Sequence, residues 1–350
     1  RLCRRIGTKP AIPNASYTQP LQATLEKQIM KRLKIWILLL FLTSQLFGQD
    51  YIEYHRTFNR IDEDVLSQNF TVAIERLDSI YTNYDFIYAQ HCMKSLQICC
   101  FINDSIRADK WLAKSFKQGI PIWFIRTSEL TKKSLDYSTT KETIQVFDSL
   151  YSIYKASINL NLASQIDSLF DIDQKYTQKV NDGFILFRHT IFGLKWVINN
   201  KKQFKLINNI IDEYGFPGEK LIGLPKTYED SVSTVEFISF WGSYIREWQA
   251  YFMLLHYFST KRNVSDDFKN KLFQNVINGN ITPFQYAKIC SYIYRHSKNS
   301  EYESYYGNDT ITDRKRLEMG LNTVEQEKRN ELIQRERRKN KKANNEIMLE

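Results

Sequence analysis

Cysteine, proline and glycine are all scarce in this chain, which has 5 cysteines, 7 prolines and 12 glycines among 350 residues. There is no Cys-x-x-Cys pair and no histidine at zinc-finger spacing, so a small zinc-stabilised or disulfide-scaffold domain is excluded. The low content of proline and glycine excludes collagen-like and low-complexity chains. A chain of this length can bury large apolar cores without covalent staples.

A large charge excess is also missing from the body of the chain. The formal net charge is +10, but residues 50–310 carry equal numbers of basic and acidic side chains. The excess lies in residues 1–49 and 311–350. Because nucleic-acid binding domains concentrate positive charge in the folded body, we expect no nucleic-acid partner.

The apolar run Ile35–Leu42 is far shorter than the roughly 20 residues that a transmembrane helix needs. It follows a basic segment that begins at Met30, and Gly48 stands before the polar Gln49. This order is typical of a signal peptide. We predict a signal peptide over 30–48, cleaved after Gly48, and export to the periplasm or medium of a Gram-negative bacterium. We expect no transmembrane span in the mature chain, and we interpret residues 1–29 as a non-native upstream extension.

Apolar residues recur at helical spacing in the first part of the exported chain. Phe70, Ala73, Ile74 and Leu77 mark one amphipathic helix. The next helix is predicted over 86–101, and a further one begins at an N-cap, Asn103 or Asp104, and stops at Gly119. Two such helices joined by a short polar turn favour a tetratricopeptide-like module over residues 50–121. The alternative is an ordinary helical bundle.

The rest of the chain is also predicted to be helical. Serine and threonine clusters predict a linker or loops over 122–143, followed by a helical domain over 144–310 and a charged C-terminal helix or tail over 311–350. In that domain Gly215 is predicted to end one helix, and Thr282-Pro283-Phe284-Gln285 to start another as a capping box. The dense apolar segment 232–258 predicts a central buried helix. The fold class is therefore all-α.

Several short segments occur in an order that resembles a bacterial family described only as a domain of unknown function. They are Asp212-Glu213-Tyr214-Gly215-Phe216-Pro217-Gly218, Leu221-Ile222-Gly223, Leu254-Leu255-His256, Asn278-Gly279-Asn280-Ile281-Thr282-Pro283, Tyr286-Ala287 and Tyr305-Tyr306-Gly307. The resemblance covers about residues 164–308 and implies a shared helical fold without a known reaction. Where relatives have Asp-Arg after the Tyr-Ala step, this chain has Cys290-Ser291-Tyr292.

The same resemblance singles out candidate functional residues. Asp173 and His256 match its polar positions, and they are the candidate acid/base pair. Candidate binding residues complete the pattern: Gln174, Tyr214, Gly215, Tyr306 and Gly307. For His256 the simpler interpretation is a hydrogen-bonded core histidine.

No local motif supports a metal site or a cofactor. The five histidines include no His-Glu-x-x-His pair, and no phosphate-cradling or dinucleotide-binding glycine motif occurs. We therefore expect neither a metal nor a cofactor.

Cys290 is far from Cys92, Cys99 and Cys100 in the sequence, so one long-range disulfide is possible in an oxidising compartment. The simpler interpretation is that all four are buried thiols.

Two functional hypotheses follow. The first is an exported binding module whose partner is a protein or an envelope component. The second is an enzyme or small-ligand-binding domain with its site near His256, Asp173 and the segment 214–218.

Overall fold

Helices form every regular element in the part of the chain that the structure describes. The computed structural model describes residues 49–184, 187–224, 246–260, 265–296, 305 and 310–344. Within them it has sixteen α-helices and no strand: α1 Tyr51–Leu66, α2 Phe70–Asn83, α3 Ala89–Phe101, α4 Ser105–Lys117, α5 Ile122–Ile125, α6 Glu129–Lys132, α7 Lys141–Gln145, α8 Phe147–Ser157, α9 Leu160–Asp182, α10 Gly193–Tyr214, α11 Glu219–Ile222, α12 Arg246–Thr260, α13 Asp266–Ile277, α14 Pro283–His296, α15 Thr310–Glu318 and α16 Val324–Asn344. The all-α prediction is confirmed.

The first four helices form two antiparallel hairpins, α1 with α2 and α3 with α4. Each hairpin has a helix that starts at an aspartate cap. The Asp50 carboxylate accepts the Ile52 N–H at 2.9 Å, and the Asp104 carboxylate accepts the Arg107 N–H at 3.0 Å. Asp104 is therefore the N-cap of α4, where the sequence predicted either Asn103 or Asp104. The relation of these hairpins to tetratricopeptide repeats stays a prediction.

The segment 122–143, predicted as a linker or loops, instead consists of short helical turns packed against this first core. Phe124, Ile125 and Leu130 are buried there. The hydroxyl groups that suggested loops satisfy backbone carbonyls inside the turns. The Thr131 hydroxyl donates to the Ile125 carbonyl at 2.7 Å, and the Ser134 hydroxyl donates to the Thr131 carbonyl at 2.6 Å. Serine and threonine clusters can therefore build compact structure as well as exposed loops.

Helices α7 and α8 also pack on the first core, so the domain start predicted at 144 does not mark a break in packing. Tyr154 at the end of α8 lies between two glycines. A Cβ atom at Gly119 would come within 2.4 Å of its ring, and one at Gly223 within 2.3 Å of its hydroxyl. The hydroxyl accepts the Leu224 N–H at 2.6 Å. Tyr154 therefore connects α8 to the chain beyond α11.

A second core lies between α9, α10, α12, α13 and α14 and includes Ile166, Ile207, Leu254 and Leu272. Helix α12 is the described part of the buried helix predicted over 232–258, and residues 232–245 lie outside the described residues. The capping box at the start of α14 is confirmed. The Thr282 N–H donates to the Gln285 side chain at 3.0 Å, and the Gln285 N–H donates to the Thr282 hydroxyl at 3.3 Å.

The two cores belong to one compact unit that begins at Gln49. Polar contacts cross from one to the other. The Tyr88 hydroxyl donates to the Gly279 carbonyl at 2.9 Å, and the Glu219 carboxylate accepts the Ala89 N–H at 2.7 Å at the start of α3.

Helices α15 and α16 form a C-terminal hairpin that docks on α1. Asn59 donates to the Gly320 carbonyl at 2.7 Å, and Met319 is buried. The Arg316 guanidinium is buried inside the hairpin and bonds the carbonyls of Tyr305 and Asn322 and the carboxylate of Glu327. The segment predicted as a charged C-terminal helix or tail is therefore a helical hairpin in contact with α1.

The four cysteines of the described residues are buried free thiols, so the possible disulfide with Cys290 is not formed. Cys92, Cys99 and Cys100 lie in the first core and Cys290 in the second. Burial raises the pKa of the Cys100 thiol to about 11. These cysteines pack as small apolar side chains.

Among the described residues, no helix combines the length and the apolar character needed to cross a bilayer.

Candidate functional site

Asp173 occupies an apolar position in the middle of α9. The buried face of this helix carries Leu162, Ala163 and Ile166, and helical spacing brings Asp173 onto the same face. Its side chain has no exposed surface. Because burying an unpaired carboxylate is strongly unfavourable, this position requires a hydrogen-bonding partner.

That partner is His256 on α12. The His256 Nδ1 atom lies 2.8 Å from Oδ2 of Asp173 and 3.0 Å from Oδ1. Gln174 also donates from Nε2 to Oδ2 at 3.1 Å. An ionised carboxylate only accepts hydrogen bonds, so Nδ1 carries the proton, and in the neutral ring Nε2 is left with a lone pair. Sequence reasoning from the family resemblance predicted this pair, and the structure brings the two residues together.

The imidazole is accessible whereas its carboxylate partner is not. The His256 side chain is 24% exposed, against 0% for Asp173. No hydrogen bond joins Nε2 to another residue of the described chain. The pair therefore combines a partly exposed imidazole with a fully buried carboxyl group.

Helix α10 supplies residues that the sequence analysis missed. The Trp196 ring lies 5.6 Å from the His256 ring. Asn200 donates from Nδ2 to the His256 carbonyl at 3.3 Å, and Gln203 donates to the Leu169 carbonyl at 2.7 Å. Both amides are buried on the face that carries Ile207. Asn200 and Gln203 are polar residues at positions where an amphipathic helix normally carries apolar ones. That pattern could have identified them from the sequence.

Several buried polar atoms on these three helices lack a partner within the described residues. They are Thr177 Oγ1 on α9; Trp196 Nε1, Asn199 Nδ2, Asn200 Oδ1 and Gln203 Oε1 on α10; and Gln249 Oε1 on α12. Native structures leave few such atoms, and each costs about 1–3 kcal/mol when no group satisfies it. Helices α9, α10 and α12 pack against one another. We call these six residues, with Asp173 and His256, the interhelical polar cluster.

The segment 214–218 has a packing role at another place in the fold. The Phe216 N–H donates to Asn275 Oδ1 at 2.6 Å, and a Cβ atom at Gly218 would lie 1.9 Å from the Asn280 carbonyl oxygen. Tyr214 is 46% exposed. At 1.5 Å per residue, Tyr214 is about 20 Å along α10 from Asn200, which contacts His256. Tyr214 and Gly215 are therefore not brought together with His256, and a ligand-binding role for them stays a prediction.

The remaining candidate positions, Tyr306 and Gly307, lie outside the described residues. Their neighbour Tyr305 is buried, and its N–H donates to the Ser291 hydroxyl at 3.2 Å.

A separate cavity of about 230 Å³ is lined by residues that include Asp85, Tyr154, Glu219 and Lys220. Two of its charged side chains, those of Glu219 and Lys220, already form hydrogen bonds that stabilise the fold. Glu219 caps α3, and Lys220 donates to the Asn278 carbonyl at 2.8 Å.

No group of three or more potential metal ligands occurs among the residues that the structure describes.

No protein-family model, no curated protein and no solved structure matches this chain.

Proposed function

We propose that this protein binds a small polar molecule at the interhelical polar cluster, with His256 as the group that accepts a proton or hydrogen bond from it. The observation that carries the proposal is the hydrogen bond between a fully buried Asp173 and a partly exposed His256. This arrangement fixes the tautomer and the orientation of the imidazole.

The unsatisfied atoms around the pair support a polar ligand. Trp196 and Asn199 offer donors, whereas Thr177, Asn200 and Gln203 offer oxygen acceptors. A ligand with hydroxyl, amine or carboxylate groups can bond to both kinds of atom. An apolar ligand would leave them unpaired at the same cost.

The surroundings of the imidazole favour binding or proton transfer over covalent catalysis. The nearby hydroxyl of Ser259 donates to the backbone carbonyl of His256 at 2.6 Å and not to the ring. Covalent catalysis by the Ser-His-Asp arrangement needs a nucleophile bonded to the second ring nitrogen. No such nucleophile occurs among the described residues.

We also propose that the protein is exported from the cytoplasm. The basic, apolar and small-residue order of residues 30–48 supports export with cleavage after Gly48. An exported protein meets small solutes and envelope components, so both hypotheses from the sequence stay compatible with this location. Association with the envelope is inferred from a different feature, the exposed outer face of α10.

The test of the binding site uses equilibrium dialysis of the purified protein against a small-molecule extract of the producing cells, read by mass spectrometry. We expect polar compounds enriched by the wild type to lose their enrichment in His256→Gln. The matched control is Asn209→Ala, an exposed position on α10, which should retain them. Equal enrichment by wild type and His256→Gln, with both proteins folded by circular dichroism, would refute the site.

A further inference from the structure

The outer surface near the start of α10 carries an unusual group of exposed apolar side chains. Large apolar residues exposed singly are normal, but a contiguous group on a soluble surface marks an interaction site. The exposed fractions are 62% for Phe184, 43% for Phe187, 45% for Ile191, 66% for Leu194, 42% for Val197 and 56% for Ile198.

These side chains project away from the core. A π-helical turn, Arg188–Phe192, leads directly into α10. At about 100° per residue, Leu194 and Ile198 point opposite to the buried face of α10 that carries Asn200 and Gln203. The same outward line continues to Lys201 and Lys205, which are exposed. The outer face of this segment is therefore apolar at its start and basic in the following turns.

Positive charge is concentrated in the same segment. Between Asp182 and Asp212 the chain has no acidic residue and five basic ones: Arg188, Lys195, Lys201, Lys202 and Lys205. The region 50–310 as a whole is charge-balanced, so this is a local excess. A helix with an apolar outer stripe and a surrounding set of lysines is typical of segments that lie in a membrane interface.

We propose that this face, formed by Phe184, Phe187 and residues 191–205, docks on an anionic lipid bilayer. The apolar side chains enter the boundary between head groups and acyl chains, and the lysines lie next to lipid phosphates. In this arrangement the helix lies along the membrane surface.

The chemistry of the face favours lipid over other occupants. A second copy of the chain would bring two clusters of like charge together, which opposes association. Lysine is depleted from protein–protein interfaces, yet here four lysines border the apolar group. Nucleic acid would pair with the lysines but leave the exposed apolar side chains in water. An anionic bilayer satisfies both halves of the face, because its phosphates pair with the lysines and its acyl region takes up the apolar side chains.

The experiment is a vesicle co-sedimentation assay with the purified chain. One set of vesicles contains phosphatidylglycerol and phosphatidylethanolamine in equal parts, and the other is pure phosphatidylcholine. We expect binding to the anionic vesicles that weakens with added salt, because salt screens the lysine charges. Binding to neither set, or equal binding to both sets, would overturn the proposal.

The apolar contribution is tested with a matched pair of double variants. Leu194→Ser with Ile198→Ser should lower the partition coefficient at least about tenfold, since two apolar side chains no longer enter the bilayer. The control is Ile106→Ser with Leu160→Ser, at positions that are 66% and 53% exposed on α4 and α9. The control should bind like the wild type, and an equal loss in both variants would contradict the assigned face.

The lysine contribution is tested in the same way. Lys201→Gln with Lys205→Gln should weaken binding on the order of 25-fold, from about 1 kcal/mol per lysine near the surface. The control is Lys110→Gln with Lys117→Gln, two exposed lysines on α4. All four lysines are on the surface, so these variants should retain the wild-type circular dichroism.

Two further outcomes separate this proposal from its alternatives. If sedimentation velocity shows a dimer that Leu194→Ser with Ile198→Ser dissociates, and no vesicles bind, the face is a self-association surface and the proposal is wrong. His256→Gln should bind vesicles like the wild type, so failure of the ligand site and failure of the membrane face are distinguishable.

Discussion

Asp173 shows how one polar side chain can hold a core position when a specific partner is available. The hydrogen bonds from His256 and Gln174 compensate the buried carboxylate, and the imidazole is oriented as a consequence. Substituting the carboxylate therefore affects both the stability of the fold and the geometry of the ring.

We predict that Asp173→Ala lowers the free energy of unfolding by about 2 kcal/mol, because charge-assisted hydrogen bonds are lost and the imidazole loses its partner. Urea unfolding followed by circular dichroism measures the change. Asp171→Ala is the control, since Asp171 is exposed on the same helix, and it should stay within about 0.5 kcal/mol of the wild type. Similar losses in the two variants would show that the pair has no special role.

Two other histidines, His55 and His91, are buried as neutral rings in the first core. Burial lowers the pKa of His55 from 6.5 to about 3, and burial also lowers the pKa of His91 well below its ordinary value. The Tyr54 hydroxyl accepts the Tyr88 N–H at 3.1 Å, and the same hydroxyl lies 2.8 Å from His91 Nδ1.

These lowered pKa values predict loss of stability in acid. The unfolded chain binds protons below pH 6.5 and the folded chain does not, so stability is full above that pH and declines as the pH falls towards 3. At pH 5, His55 alone should cost about 2 kcal/mol relative to neutral pH. In His55→Leu the decrease between pH 7 and pH 5, measured by urea unfolding, should be smaller by about that amount.

Val65→Ala is the control for this prediction. Val65 is buried on the same helix and has no titratable group, so its substitution should shift the stability curve without changing its pH dependence. If His55→Leu and the wild type lose stability in parallel as the pH falls, His55 is not the buried neutral group that we infer.

At the scale of elements, the sequence identified the residues that cap and end several helices. It did not identify the contacts that stabilise the C-terminal hairpin. Thr282, Gln285 and Gly215 act within a few residues of their own position, so local spacing was enough to identify them. Arg316 was counted only as part of a charged segment. Its burial depends on carbonyls from Tyr305 and Asn322 that meet only in the folded hairpin.

We predict that Arg316→Leu loosens the α15–α16 hairpin. Three hydrogen bonds of a buried guanidinium are lost, which should destabilise the hairpin by about 2 kcal/mol. Limited trypsin digestion should then cut faster after Lys328 and Arg329. Arg314→Leu is the control, because Arg314 is exposed and lies 3.8 Å from Glu318 in an i,i+4 pair. The same digestion rate in both variants would show that Arg316 does not fasten the hairpin.

At the scale of the whole molecule, the two cores share their contacts and do not form separate domains. Ile52 of α1 packs in the second core, and Leu224 packs in the first. The bonds from Tyr88 to Gly279 and from Ala89 to Glu219 cross between them. Cooperative unfolding of residues 49–350 is the expected consequence.

We predict that Leu112→Ala in the first core and Leu272→Ala in the second lower the midpoint of the same unfolding transition. Both side chains are fully buried, and such truncations cost about 2–5 kcal/mol. Far-UV circular dichroism and tryptophan fluorescence should report one coincident transition in each variant. Two transitions, each moved by only one of the substitutions, would show that the cores unfold independently.

The sequence alone determined the fold class and several helix ends, among them those at Asp104, Gly215 and Thr282, because apolar spacing and capping residues act over a few residues of chain. It also singled out Asp173 and His256 through the resemblance to a known pattern. Only the tertiary structure decided that these two residues touch, that Trp196 and Asn200 lie next to His256, and that the segment 214–218 lies elsewhere. Those relations join positions far apart in the chain, and their distances depend on how three helices pack. The same packing decided which side of α10 faces outwards, and thus that its apolar side chains and lysines form one exposed face.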